Sequence, residues 1–230
     1  MTGDAGPILG NTDGNQTDPQ ELAITTVQTA EPILPPFYIP SRGDGPLRQA
    51  EILSNVHQHR IALESLGSPD GLEIDPIDHE LAIILSQDCD LEQDFKRRES
   101  IVREGGRIDE LDDKLLPSVL LCEVGTERAI DDAIRPLGRT IRERFRQNHE
   151  ERYQFLRGVD ATDDAAAEGL EAMGIDFKRY FTIPTAELYA QLNGQCRRRC
   201  RLAPQYLEHF STRFSNHLSR VGLPKNHHDD

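Results

Sequence analysis

The chain has 230 residues, a net charge of -14 and 37% hydrophobic residues, with a mean hydropathy of -0.58. That length admits one well-filled core with appendages, and the low apolar share implies that part of the chain stays outside the core. No stretch has the ~20 apolar residues needed to span a bilayer, and Met1–Gln20 lacks a basic region followed by an apolar run, so neither membrane insertion nor export is expected and a cytoplasmic location is.

Residues 1–30 are rich in Gly, Asp, Asn, Thr and Gln. They cannot bury enough surface to offset the entropy of ordering, so a disordered acidic arm is expected. Residues 31–46 carry five prolines, at Pro32, Pro35, Pro36, Pro40 and Pro46. Proline fixes φ and extends its predecessor, so this is an extended arm. Ile33, Leu34, Phe37, Tyr38 and Ile39 make it too apolar for a free linker. It either lies across the domain surface or serves as a polyproline-II ligand for a partner's aromatic groove.

A single domain is expected over 47–224. A strand is expected over 49–56, followed by an apolar run from Ile61 to Leu66. Ser68-Pro69-Asp70-Gly71 signals a turn. Leu81–Leu85 and Val119–Val124 are short continuous apolar runs and read as buried strands. A charged helix over Leu91–Glu104 between them ends at Gly105-Gly106. Thr126 has the residue type of a helix N-cap, and a further helix covers Leu137–Asn148. Strands are expected over 152–156 and 180–183, with an acidic Ala-rich loop at Asp160–Glu168. A short helix follows, from Pro184-Thr185 to Leu192. From Pro204, residues Leu207, Phe210, Phe214, Leu218 and Val221 recur at helical spacing, and Gly222 with Pro224 stops the helix. Residues 225–230 form a frayed tail. The strand and helix spacing is irregular, and no Gly-rich phosphate loop follows a strand, which argues against a doubly wound sheet. The fold class is α+β, a small strongly bent sheet or SH3-like barrel with packed helices and a C-terminal amphipathic helix.

Charge is unevenly divided: -15 over residues 1–126 and +1 over residues 127–230. The acidic part repels phosphate, while the Arg-rich part permits a local basic patch. The acidic arm can also lie against the basic half, or two copies can meet head to tail.

Two constellations carry candidate chemistry. Ser86-Gln87-Asp88-Cys89-Asp90 follows a buried strand. Asp88 and Asp90 could hold a divalent metal, and Cys89 could be a nucleophile. The structural alternative is that one Asp caps the next helix while Cys89 packs. The second is Cys196-Arg197-Arg198-Arg199-Cys200-Arg201. Its thiols, four apart on a helix, would share a face, and with Cys122 and Cys89 they would make an all-cysteine zinc set. Such sets normally come as close pairs on tight knuckles, so all four are read as reduced thiols. Arg197, Arg198, Arg199 and Arg201, with Arg142, Arg144 and Arg146, could bind nucleic acid or an acidic partner. Otherwise they form a solvated face neutralised by the chain's own carboxylates. His209 and His217, eight apart, lack metal-pair spacing, and no G-x-S-x-G elbow is present.

Gln49-Ala50-Glu51-Ile52-Leu53 and His79-Glu80-Leu81-Ala82-Ile83-Ile84-Leu85-Ser86 resemble the opening strands of the MazF/PemK-like toxin barrel. In that family a "GDIV" strand precedes an "RPALVLS" strand. The resemblance implies a small barrel, and many family members are endoribonucleases. Ala50-Glu51 stands for Gly-Asp and His79-Glu80 for Arg-Pro, so the family's catalytic Arg has no counterpart. The expected function is a non-catalytic interaction or regulatory module of a larger bacterial assembly with a protein partner. The alternative is a metal-dependent, endoribonuclease-like enzyme acting on nucleic acid through Asp88-Cys89-Asp90 and the Arg patch.

Overall fold

The computed structural model describes residues 36–69, 71–108 and 112–219. The expected disordered arm, Ile33 and Leu34 of the Pro-rich arm, the helix stop at Val221–Pro224 and the tail lie outside them. Seven strands form one antiparallel sheet: β1 (Tyr38–Pro40), β2 (Glu51–Ile61), β3 (Ile74–Ile84), β4 (Ser118–Thr126), β5 (Tyr153–Leu156), β6 (Met173–Pro184) and β7 (Arg197–Leu202). Their order is β1-β7-β2-β3-β4-β6-β5. Five α-helices accompany them among the described residues: α1 (Asp88–Arg103), α2 (Glu127–Ile134), α3 (Arg139–Arg146), α4 (Thr185–Leu192) and α5 (Pro204–Leu218).

The continuous apolar runs of β3 and β4 exist because both faces of the sheet are covered. Ile83, Leu85, Cys122 and Val124 join Tyr38, Phe177 and the α5 residues Phe210 and Phe214 in one core. Ala82, Ile84 and Leu121 turn the other way, against Leu91 of α1 and Leu188 of α4. Each such Leu, Ile or Phe contributes roughly 1.5–3 kcal/mol when fully buried. A third cluster, Ile130, Ile134, Phe145 and Tyr153, seats α2 and α3 beside β5. Thr126 caps α2 as its residue type suggests, its Oγ1 accepting from Ala129 N–H at 3.2 Å.

The expected barrel is corrected: the sheet is open, with β1 and β5 as its two edges. Six strand spacings in a flat sheet would separate those edges by roughly 29 Å. Yet the Tyr38 hydroxyl donates to the Arg157 carbonyl, just past β5, at 2.6 Å. The sheet therefore curls until its edges are joined by a side chain rather than by a ladder. Register shifts at Ile52/Leu53 and Cys122/Val124 mark irregularities of the kind that bend strands.

Three local expectations also change. The helix after β3 begins at Asp88 rather than Leu91. The Cys196–Cys200 segment is not helical: Arg197–Leu202 is strand β7, held between β1 and β2. The strand expected to end at Val56 continues to Ile61. Strand β7 pairs with β2 only over Glu51–Ser54, and β4 pairs with β3 only over Ala82–Ile84. Strands β2 and β3 pair with each other out to Ile61↔Ile74. Val56–Ile61 and Ile74–His79 thus project as a two-stranded ribbon. Asn55, at the branch point, has φ 57°, a left-handed conformation that Asn tolerates better than most residues.

Candidate functional site

Asp88, Cys89 and Asp90 occupy the first turn of α1, where carboxylates favour the positive helix end. The N-cap is Gln87, which makes no side-chain cap bond, so neither Asp is the cap. Asp88 Oδ1 instead accepts the Gln49 N–H at 2.7 Å. Two further bonds join the same segments: Gln49 Nε2 donates to the Leu85 carbonyl at 3.2 Å, and Arg48 pairs with Glu92 at 3.1 Å. The loop entering β2 is bolted to α1 by this set. Cys89 is exposed, its sulfur 3.5 Å from Asp90 Oδ1 and 3.6 Å from Gln87 Oε1. Among the described residues, no group of three or more His, Cys, Asp or Glu is arranged to hold a metal ion.

Six of the seven Arg residues pair with carboxylates of the chain itself. On α3, Arg142 pairs with Asp131 at 2.8 Å, Arg146 with Glu127 at 2.8 Å, and Arg144 with Glu150 at 3.6 Å. Arg142, foremost through its hydrogen bond, with Arg146 and Arg135, holds the Asp131 carboxyl below its ordinary range. On β7, Arg197 lies 3.7 Å from Glu168. Arg198 is buried against Glu51 at 2.9 Å and donates to the carbonyls of Arg42, Gly45 and Pro46. Burial pushes the Glu51 carboxyl up, and the Arg198 charge pulls it back. Arg199 is buried against Asp164 and also bonds the Gly169 carbonyl. Arg201 stands opposite Ile39 of β1 and Glu51 of β2 in the ladder. The sequence hides these pairings because several partners, such as Glu51 and Asp164, lie far away along the chain.

Cys122 and Cys200 belong to the core on the α5 face, whereas Cys196 belongs to the core under α1 and α4. The sheet separates them, so the thiols do not assemble. Burial pushes the Cys196 and Cys200 thiols up to about 12 and Cys122 higher still, which removes the thiolate a nucleophile needs. His209 and His217 both sit on α5, where the His217 ring lies 5.7 Å from Phe177. Burial lowers the His209 pKa.

The ribbon tip is the feature that reasoning from sequence missed. The sequence marks an apolar run from Ile61 to Leu66, and in the structure Ile61, Leu63, Leu66, Leu72 and Ile74 are 46–73% exposed. Their backbone is nonetheless well tied. Ala62 N–H donates to the Glu73 carbonyl at 2.9 Å, the Ser65 hydroxyl donates to the Ala62 carbonyl at 2.7 Å, and Glu73 N–H donates to the Ser65 oxygen at 3.0 Å. Gly67 and Gly71, at φ 85° and 100°, adopt left-handed conformations in the loop that joins the two strands. The available signal was the turn Ser68–Gly71 between two apolar runs, which marks a hairpin end. At the ribbon's root, α4 acts as a buttress. The Gln191 amide bonds both the N–H and the carbonyl of His57, at 3.0 and 2.7 Å, and His59 pairs with Glu187 at 2.8 Å. No helix among the described residues is long and apolar enough to cross a membrane. No protein-family model and no curated protein matches the sequence, so the likeness to the MazF/PemK-like barrel rests on the segments quoted from β2 and β3 alone.

Proposed function

We propose that this chain is a non-catalytic interaction or regulatory module of a larger assembly, and that the β2–β3 ribbon is its contact element. The observation that carries this reading is the exposed apolar tip, built on an ordered, hydrogen-bonded turn and held out beyond the neighbouring strands. Single exposed apolar residues need no explanation, but a contiguous set marks a contact surface. The fold does not require these side chains, since they belong to none of the three cores. The alternative, a metal-dependent enzyme acting on nucleic acid, draws less support. Asp88 is engaged by the Gln49 backbone, and six of the seven arginines pair with carboxylates of the same chain.

A photo-reactive residue at Leu63, introduced into the full chain in its native cells, tests the reading. A discrete protein adduct is expected there, and none from the same residue at Arg128, an exposed position on α2 (92% by side chain). Equal labelling at both positions, or no adduct at Leu63, would reject the ribbon as the contact element.

A further inference from the structure

The ribbon carries a charge as well as an apolar end. Glu64, Glu73, Asp75 and Asp78 lie along it; Asp75 is paired with Arg60 at 3.4 Å and Asp78 with His57 at 2.6 Å, which leaves Glu64 and Glu73 beside the tip. An acidic rim around an apolar tip repels nucleic acid and anionic membrane surfaces, and it repels a second identical tip. It favours a partner whose apolar groove is flanked by Lys and Arg.

The ribbon edges decide how such a partner is engaged. Pro76 removes one N–H donor from β3, and Gln191 already occupies both backbone groups of His57 on β2. Both features blunt an edge against an added strand. Recognition therefore runs through the side chains of the tip. The Ser65 bonds fix the tip's shape beforehand, which lowers the ordering cost of binding.

We infer that the ribbon tip inserts into an apolar groove of a partner protein bordered by basic side chains, with Leu63 and Leu66 as anchors and Glu64 and Glu73 reading the basic rim. This rests on the reading of the ribbon as the contact element. The probe is a displayed random-peptide library, selected on the immobilised full chain and in parallel on the Leu63→Ser/Leu66→Ser variant. Circular dichroism first establishes that the variant is folded. Peptides enriched only on the unaltered chain are expected to combine Leu or aromatic residues with Lys and Arg. As synthetic peptides they are expected to bind about tenfold more weakly to a Glu64→Lys/Glu73→Lys variant, with affinity falling as salt rises. Acidic or uncharged winners, or equal enrichment on the tip variant, would overturn the inference. So would tip-dependent binding to phosphatidylcholine–phosphatidylglycerol vesicles, or a tip-dependent dimer in light scattering, each of which names a different occupant. A Leu63 protein adduct combined with acidic winners would leave the contact element standing and remove only its basic partner. Absence of the adduct removes both.

Discussion

The hydroxyl of Tyr38, on one edge of the sheet, donates a 2.6 Å hydrogen bond to the carbonyl of Arg157, just past the strand at the other edge. Burial raises the Tyr38 phenol pKa above its ordinary value, so the hydroxyl keeps its proton and donates at neutral pH. The Arg157 guanidinium lies 5.7 Å over the Phe37 ring, so the same two segments meet twice. The bond closes the curl, but the ring does most of the stabilising. Tyr38→Phe removes one neutral hydrogen bond whose acceptor can be rehydrated, a loss of about 1 kcal/mol. Tyr38→Ala empties a core position that is 2% exposed, a loss of about 3–5 kcal/mol. Urea unfolding of both variants should give that spacing. Equal losses would mean that the bond, not the packing, holds the edges together.

The loop after β5 is fastened to β7 by Asp164 and Arg199, both buried. The Asp164 carboxylate accepts both Arg199 donors and the N–H groups of Ala166, Glu168 and Gly169. The Arg199 hydrogen bond, foremost among these, lowers the Asp164 pKa from the ordinary 3.8 to about 2. The carboxyl is more acidic folded than unfolded. Its contribution, about 2 kcal/mol, is therefore complete above pH ~4 and fades as pH falls towards 2. Asp164→Asn leaves Arg199 buried with only the exposed Glu168 carboxylate 3.3 Å away, and should cost about 3–5 kcal/mol at neutral pH. Melting temperatures from pH 2 to 7 check both points. The variant should lose the part of the acid-side slope that Asp164 supplies, and an unchanged slope would show that other carboxylates set it.

Sequence patterning located the elements whose burial is local in origin. Leu81–Leu85 and Val119–Val124 are short apolar runs, and a covered sheet is where such runs go. The Pro204 helix start and the Thr126 cap depend only on immediate neighbours. Patterning failed where distant residues decide. Cys196–Arg201 has no strong local preference against a helix, and its strand state comes from pairing with Glu51–Ser54, far away in the chain. On β7 the Arg run looked available because partners such as Glu51 for Arg198 are 147 residues distant, whereas the α3 arginines pair with Asp131, Glu127 and Glu150 nearby in the chain. The apolar residues Ile61, Leu63 and Leu66 carry no sign in the sequence that they stand at an exposed ribbon tip. Only the early end of the β7 and β4 pairing leaves them uncovered among the described residues.

The first turn of α1 separates a structural role from a metal site. Asp88→Ala leaves the Gln49 N–H without its acceptor, at a cost of about 1–3 kcal/mol. Asp90 is exposed and offers the helix end a charge, so Asp90→Ala should cost about 0.3–1 kcal/mol. Calorimetry with added Mg²⁺ or Mn²⁺ should give the same melting temperature as without. A rise that grows with metal concentration and disappears in both variants would establish a metal site instead.

Two glycines paired across β4 and β6, Gly125 and Gly174, should respond oppositely to the same substitution. A Cβ at Gly174 would meet Ile130 Cγ1 at 2.6 Å and Phe145 Cζ at 2.9 Å, both in the cluster that seats α2 and α3. A Cβ at Gly125 would meet its nearest atom at 3.6 Å, an ordinary contact. Gly174→Ala must therefore push the helices off the sheet, at about 1–3 kcal/mol. Gly125→Ala adds packing and restricts the unfolded chain, a change of about 0.4–1 kcal/mol towards greater stability. Trimming the obstacle tests the cause. Ile130→Ala alone empties core space, at about 2–5 kcal/mol. The Gly174→Ala/Ile130→Ala pair should cost less than the two single changes together by about 0.5–3 kcal/mol, because the new methyl fills the space that Ile130 leaves. Relief is incomplete, since the Phe145 contact remains. Strict additivity in urea unfolding would show that the penalty at Gly174 arises from its strand conformation rather than from the approach of α2.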